Sequence, residues 1–275
     1  MKIPGESGGG GASFMPILEE LPILSYYAKT RGWHYVLSWL HRFTGIGLVV
    51  ILMVHMFTLS SLQTPDVDPA RMRVIVSPIF LFLAWVSSLV VGVHALNGGR
   101  LILYELFGRR DDADMIRWMF GLSAAYAAMV GLLMMMKNQR VSAFFFWLMA
   151  LSLGAIAAYV IASRTWEKRH SVLWKLQRIS GAFLFITVPA YLLFLNLNPG
   201  EAAGAHETIA WMQYVFIRLV LLTLAACALF HAGYGLFSIV ADYTSSRITR
   251  AGMVALIIVV IAVLAVSAVR LILSV

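Results

Sequence analysis

Cysteine is almost absent from the 275-residue chain: Cys227 is the single one, and it lies inside an apolar run. One thiol excludes an internal disulfide framework, a cysteine-based zinc site and a cysteine-ligated iron–sulfur cluster held by this chain alone. Charge is scarce too: only 12% of residues are charged, and acidic residues are rarer than basic ones, 13 against 21. So little charge beside 61% hydrophobic residues and a mean hydropathy of +0.84 excludes a water-soluble globular domain and indicates an integral membrane protein. The net charge of +8 is therefore not read as a nucleic-acid footprint; on so apolar a chain the excess belongs in the loops. The N-terminal segment MKIPGESGGGGASF also lacks an apolar core of signal-peptide length, so no cleaved leader is expected there.

Apolar stretches long enough to cross a hydrocarbon core of about 30 Å fall at 36–59, 76–104, 115–136, 143–163, 176–196, 212–241 and 251–273. These runs are continuous, not alternating, and a spanning segment must satisfy its own backbone hydrogen bonds, so seven transmembrane α-helices are predicted. Residues 1–33 read as a Gly-rich arm outside the bilayer. Seven crossings put the two termini on opposite sides. The side of the N-terminus receives Lys2, Lys29, Arg31, Arg42, Arg100, Arg109, Arg110, Arg117, Arg164, Lys168, Arg169, Lys175, Arg178, Arg247 and Arg250. The other side has Arg71, Arg73, Lys137 and Arg140. This asymmetry predicts a cytoplasmic N-terminus and a C-terminus on the far side, as in a bacterial inner membrane.

The chain contains an internal duplication. Leu40-His41-Arg42-Phe43-Thr44-Gly45 opens the first span and Leu176-Gln177-Arg178-Ile179-Ser180-Gly181 opens the fifth. His94-Ala95 in the second span is matched by His231-Ala232 in the sixth. In both, a glycine follows four residues later (Gly98, Gly235) and an acid eleven residues later (Glu105, Asp242). The predicted fold is thus all-α, with two parallel three-helix repeats joined by one extra linking helix. Its parts are the arm 1–33, a first unit 34–140, the linking helix 141–165 and a second unit 166–275. The linking helix returns the chain to the starting side, so that the second unit repeats the orientation of the first.

His94 and His231 are ionisable groups inside apolar spans, where polar residues are costly and mark function by default. Each lies eleven residues, about 16 Å, before the acidic end of its helix, so the two reach the same depth. Two imidazoles at matched depth suit bis-histidine ligation of one haem b, since no thiolate is at hand. The alternative is that each histidine hydrogen-bonds a neighbouring helix and nothing more.

The segment Ser38-Trp39-Leu40-His41-Arg42-Phe43-Thr44-Gly45 resembles the S-x-x-H-R-x-[ST]-G segment of the larger cytochrome b anchor subunit of succinate dehydrogenase, respiratory complex II. His94-Ala95-Leu96-Asn97-Gly98-Gly99-Arg100 resembles the haem-ligand helix of that subunit, and His231 through Asp242-Tyr243 resembles the smaller anchor subunit. The sequence looks like both anchors fused in one polypeptide, departing from them in its linking helix.

The resemblance implies that His94 and His231 are axial ligands of haem b. It places Ser38, Arg42, Asp242 and Tyr243 in a quinone pocket at the cytoplasmic end. It also implies a flavoprotein subunit carrying FAD and an iron–sulfur subunit as partners docked there. The anchor would pass electrons from the last cluster to ubiquinone or menaquinone, while dicarboxylate chemistry stays on the partners. A guanidinium and a phenol suit a quinone, because they donate to its carbonyl oxygens and Arg42 stabilises the charge that develops on reduction. The opposing reading makes Arg42 and Arg178 snorkelling cations and Tyr243 an interfacial anchor. His41 and Arg178 are candidates for contacts with haem propionates.

Dihaem relatives carry a second ligand where this chain has His55, but the equivalent position in the second unit is Tyr191. One haem is expected, with His55 as the candidate ligand of a second. Two other readings stand beside this one. The first is the cytochrome b subunit of a formate dehydrogenase or hydrogenase, and the second a haem-free transporter with parallel repeats. Trp33, Trp39, Trp118, Trp174 and Trp211 lie near predicted helix ends and read as an interfacial belt.

Overall fold

A computed structural model describes residues 22–60, 77–108, 112–136, 139–199 and 205–274. Nine helices occur among them: α1 Pro22–Arg31, α2 Trp33–Ser60, α3 Pro78–Phe107, α4 Asp112–Met135, α5 Ala143–Thr165, α6 Val172–Leu197, α7 Ala205–Met212, α8 Val215–Tyr243 and α9 Arg247–Ser274. Seven of these, all but α1 and α7, are long and apolar enough to span a membrane. Residues 1–21 of the arm, and Lys2, Arg71, Arg73, Arg109, Arg110 and Lys137 of the charge count, lie outside the described residues.

Helix boundaries follow local chemistry. Ser77 caps α3, accepting from the Phe80 amide at 3.3 Å, with Pro78 in the first turn. Ser171 caps α6 in the same way through the Trp174 amide at 3.2 Å. Gly108 ends α3 with φ +65°, a left-handed conformation that glycine adopts without steric cost. Gly32, at φ +83°, breaks the chain between α1 and α2. Residues 22–31, read from the sequence as part of the Gly-rich arm, are thus helical and pack against α2. Several spans also outrun their apolar stretches: α6 begins at Val172 and α8 continues to Tyr243. A helix carries its hydrogen-bond ladder past the last lipid-facing residue, so residues 172–175 and Asp242-Tyr243 form helix turns beyond the apolar stretches.

The two repeats, α2–α4 and α6–α9 with the short α7 inserted, interlock across a pseudo-twofold axis. In each, the first helix neighbours the second and the second neighbours the third. Across the axis, α3 packs on α6 and α8 on α2, while α4 packs on α6 and α9 on α2. Each of these cross-repeat packings therefore occurs twice. Tyr126 of α4 adds a hydrogen bond to the Pro189 carbonyl of α6 at 2.8 Å. The linking helix α5 lies along α6. Outward faces stay apolar, with Phe57, Phe82, Leu256 and Val263 exposed, as expected where lipid replaces water as the solvent.

Packing inside the bundle depends on small residues. A Cβ on Gly154 of α5 would lie 2.9 Å from Thr187 Cγ2 and 3.0 Å from Phe183 Cδ2, both on α6 and both buried. Gly154→Ala is expected to cost about 1–3 kcal/mol through overpacking and to lower the melting temperature of the purified protein. Gly121→Ala, where a Cβ meets open space, serves as the control and leaves it unchanged. The predicted aromatic belt is partly corrected. Trp211 is 5% exposed and stacks on Phe194 at 5.3 Å, because α7 turns it into the core between α5, α6 and α8.

Candidate functional site

The duplicated residues meet on the axis. His94 of α3 and His231 of α8 face each other with ring centres 6.4 Å apart and ring planes 89° to one another. Each is held through Nδ1. In the first repeat Nδ1 of His94 lies 3.2 Å from Thr44 Oγ1 and 3.2 Å from the His41 carbonyl. In the second, Nδ1 of His231 lies 3.3 Å from Ser180 Oγ. The glycine after each hydroxyl residue lets the imidazole approach: a Cβ on Gly45 would lie 3.0 Å from His94 Cε1, and one on Gly181 3.0 Å from His231 Cε1. These contacts account for the [ST]-G end of the repeated motif, whose purpose the sequence left unexplained. Gly98 and Gly235 have a different role, facing His41 and Gln177 at ordinary van der Waals distance.

Residues at the His41 position are equivalent too. His41 stacks on His94, centres 4.1 Å apart and nearly parallel. Gln177 donates to the His231 carbonyl at 3.2 Å. Both leave one buried polar atom unpaired, Nδ1 of His41 and Oε1 of Gln177. The remainder of the His94 motif is structural. Asn97, fully buried, donates to the Leu37 carbonyl at 3.0 Å and accepts from Arg100 Nε at 2.9 Å, which fastens α3 to α2 beside Ser38.

A haem fits this donor set. Ring centres 6.4 Å apart are compatible with one metal ion whose imidazole nitrogens each lie about 2 Å away. Among the described residues no group of three or more His, Cys, Asp or Glu side chains converges. Two lone imidazoles therefore suit a metal that brings its own equatorial ligands better than a bare ion. Unpaired atoms on His41 and Gln177 beside the histidines also match a group with polar substituents.

At the basic end of the bundle, Ser38, Arg42, Asp242 and Tyr243 come together as the sequence reading requires. Arg42 donates to Ser38 Oγ one turn earlier, and its other nitrogen lies 3.7 Å from Asp242 Oδ2. The guanidinium sits over the Tyr243 ring at 5.3 Å and the Trp39 ring at 5.8 Å. Trp39 in turn lies 5.2 Å from Tyr243 and stacks on Phe43. Trp39, read from the sequence as a belt residue, is thus part of this cluster. Its position three residues before Arg42 on one helix face was the available signal. Tyr243 and Asp242 are more than half exposed, so the cluster opens outward.

The equivalent place in the second repeat is built differently. Arg178 makes a bidentate pair with Glu105 at 3.0–3.1 Å and lies 4.2 Å over the Trp174 ring. Tyr104, Glu105, Lys168, His170 and Trp174 line a pocket of about 420 Å³ beside it. Both Arg178 oxygen partners come from α3 of the other repeat, so this arginine is a two-point strut between repeats, whereas Arg42 meets Asp242 of the other repeat at one contact of 3.7 Å. On the opposite half of the bundle the equivalent residues His55 and Tyr191 meet directly, Tyr191 Oη lying 3.3 Å from His55 Nε2. Trp147 covers Tyr191 from α5.

A family model described as the succinate dehydrogenase/fumarate reductase transmembrane subunit matches the chain twice, at residues 22–133 and 158–267. The matches begin 136 residues apart, the same offset as the repeated motif. No curated protein and no solved structure matches the chain at a significant level. The double match includes α1 and decides between the readings that the duplication alone left open. The chain belongs to the succinate dehydrogenase/fumarate reductase transmembrane subunit family and is a membrane anchor carrying two copies of the family's unit in one polypeptide.

Proposed function

We propose that the chain is the cytochrome b anchor of a succinate:quinone oxidoreductase, binding one haem b and a quinone and linking an iron–sulfur subunit to the membrane quinone pool. The observation that carries this reading is the meeting of His94 and His231, equivalent residues of two repeats, with both Nδ1 atoms engaged. When bound, the haem supplies a one-electron carrier within the membrane. His94 and His231 would hold it, one from each repeat. His41 is the better placed of the two propionate candidates, since its Nδ1 is unpaired while Arg178 is taken by Glu105.

The quinone is the substrate of the basic-end cluster. Trp39 and Tyr243 offer aromatic faces for its ring, and Arg42 and Ser38 offer donors for a carbonyl oxygen. Arg42 stabilises the negative charge that grows on that oxygen during reduction. The Tyr243 hydroxyl, exposed at the same end, passes the proton that neutralises it. Asp242 holds Arg42 in place and keeps it turned to the site. The same end carries the basic excess of the sequence, which makes it the cytoplasmic face and the docking surface for the flavoprotein and iron–sulfur subunits.

A second haem is not part of this reading. The outer histidine, His55, is hydrogen-bonded to Tyr191 where a second imidazole would be needed. The haem-to-chain ratio of the complex purified from membranes tests both points. One haem per chain is expected, with flavoprotein and iron–sulfur subunits co-purifying, and His55→Ala is expected to leave the ratio unchanged. A ratio of two, halved by His55→Ala, would make His55 a ligand; absence of haem would remove the cytochrome reading altogether.

A further inference from the structure

We propose that Thr44 and Ser180 are the positioning residues of the two histidines: they set the proton on Nδ1, so that His94 and His231 each turn a bare Nε2 to the shared ligand. This rests on the haem reading above. A hydroxyl has one proton. That of Thr44 goes to the Leu40 carbonyl at 2.7 Å, which leaves its oxygen only lone pairs for His94 Nδ1 at 3.2 Å. The His41 carbonyl, also 3.2 Å from that nitrogen, can do nothing but accept. Two acceptors converging on Nδ1 require the proton there and exclude it from Nε2.

The second repeat has the same design. Ser180 donates to the Gln177 carbonyl at 3.2 Å, and its oxygen faces His231 Nδ1 at 3.3 Å. The Gln177 carbonyl joins it at the His231 ring, as the His41 carbonyl does at His94; each carbonyl is also within hydrogen-bond reach of its own hydroxyl residue, Thr44 at 3.1 Å and Ser180 at 3.2 Å, and the Gln177 amide reaches the His231 backbone. Gly45 and Gly181 hold each imidazole edge against the helix that carries the hydroxyl, so neither ring turns away without losing packing. An Nδ1 donor bond also raises the basicity of the ligating nitrogen. Removing the acceptor weakens binding and disfavours the ferric state.

The test uses the complex purified from membranes, with Thr44→Ala, Ser180→Ala and the conservative Thr44→Ser and Ser180→Thr. Haem retention, the electron paramagnetic resonance spectrum of the oxidised haem and its midpoint potential are read alongside retention of the partner subunits. Ser180→Ala is expected to lose about 10–100-fold in haem affinity, with a raised midpoint potential and a shifted spectrum. Thr44→Ala is expected to lose on the same scale, each ring keeping only its carbonyl acceptor, and both conservative variants return to the starting values. Ser180 is small and buried; should its alanine variant fail to assemble, Ser180→Cys, of similar size but a weak acceptor, gives the same reading. An unchanged potential and spectrum in Ser180→Ala or in Thr44→Ala overturns the proposal. Starting protein without haem overturns the haem reading instead, so the two failures are distinguishable.

Discussion

His231→Ala is expected to abolish the low-spin b-type α-band in the reduced-minus-oxidised spectrum of the complex, and His94→Ala to do the same. In the proposed site each imidazole is one of two ligands on opposite helices, and neither has a replacement of equal reach. The ring stacked on His94 is that of His41, 4.1 Å away, whereas the residue beside His231 at the equivalent position is Gln177. His231→Ala is therefore the stricter test, and His94→Ala is best read together with the double variant lacking His41. Any haem retained in His231→Ala would be five-coordinate, with an altered spectrum. An α-band of full height in that variant would refute bis-histidine ligation.

Arg42→Ala is expected to lower quinone-linked turnover by about 10²–10³-fold, the scale of removing a donor aimed at developing negative charge. Succinate reduction of soluble dyes, which bypasses the anchor, should stay intact. Equal loss of both activities would mean failed assembly. Lysine is not an adequate substitute, because Arg42 holds Ser38 with one nitrogen and faces Asp242 with another while lying over two rings, and a point charge cannot do all of these. Arg178, its equivalent in the second repeat, supplies an internal control. Its guanidinium is committed to both oxygens of Glu105, so Arg178→Ala should weaken the junction of the repeats and leave quinone turnover largely intact.

The two arginines show where sequence reading stops. They occupy the same place in R-x-[ST]-G, eleven-residue registers put an acid opposite each, and nothing local separates them. Their difference comes from the helix that arrives across the axis: α8 ends in Asp242-Tyr243 and offers a ring and one distant oxygen, whereas α3 offers Glu105 in bidentate geometry. Trp39 illustrates the same limit from the other side. A tryptophan near a helix end reads as an interfacial anchor, and only the approach of Tyr243 makes it a wall of a site.

The sequence by itself determined the solvent, the seven spans, the duplication and the common depth of His94 and His231. Lipid imposes continuous apolar runs and internal backbone hydrogen bonding, and depth along a helix is a matter of counting residues. Tertiary structure alone decided that His94 and His231 face each other and that His55 is closed off by Tyr191. It alone showed that Thr44 and Ser180 reach the imidazoles and that Glu105 clamps Arg178 in bidentate geometry while Asp242 meets Arg42 at a single longer contact. Each of these depends on the rotation and approach of helices distant in sequence. That geometry is set by packing small residues such as Gly45, Gly154 and Gly181 against side chains of another helix, and periodicity within one helix does not specify it.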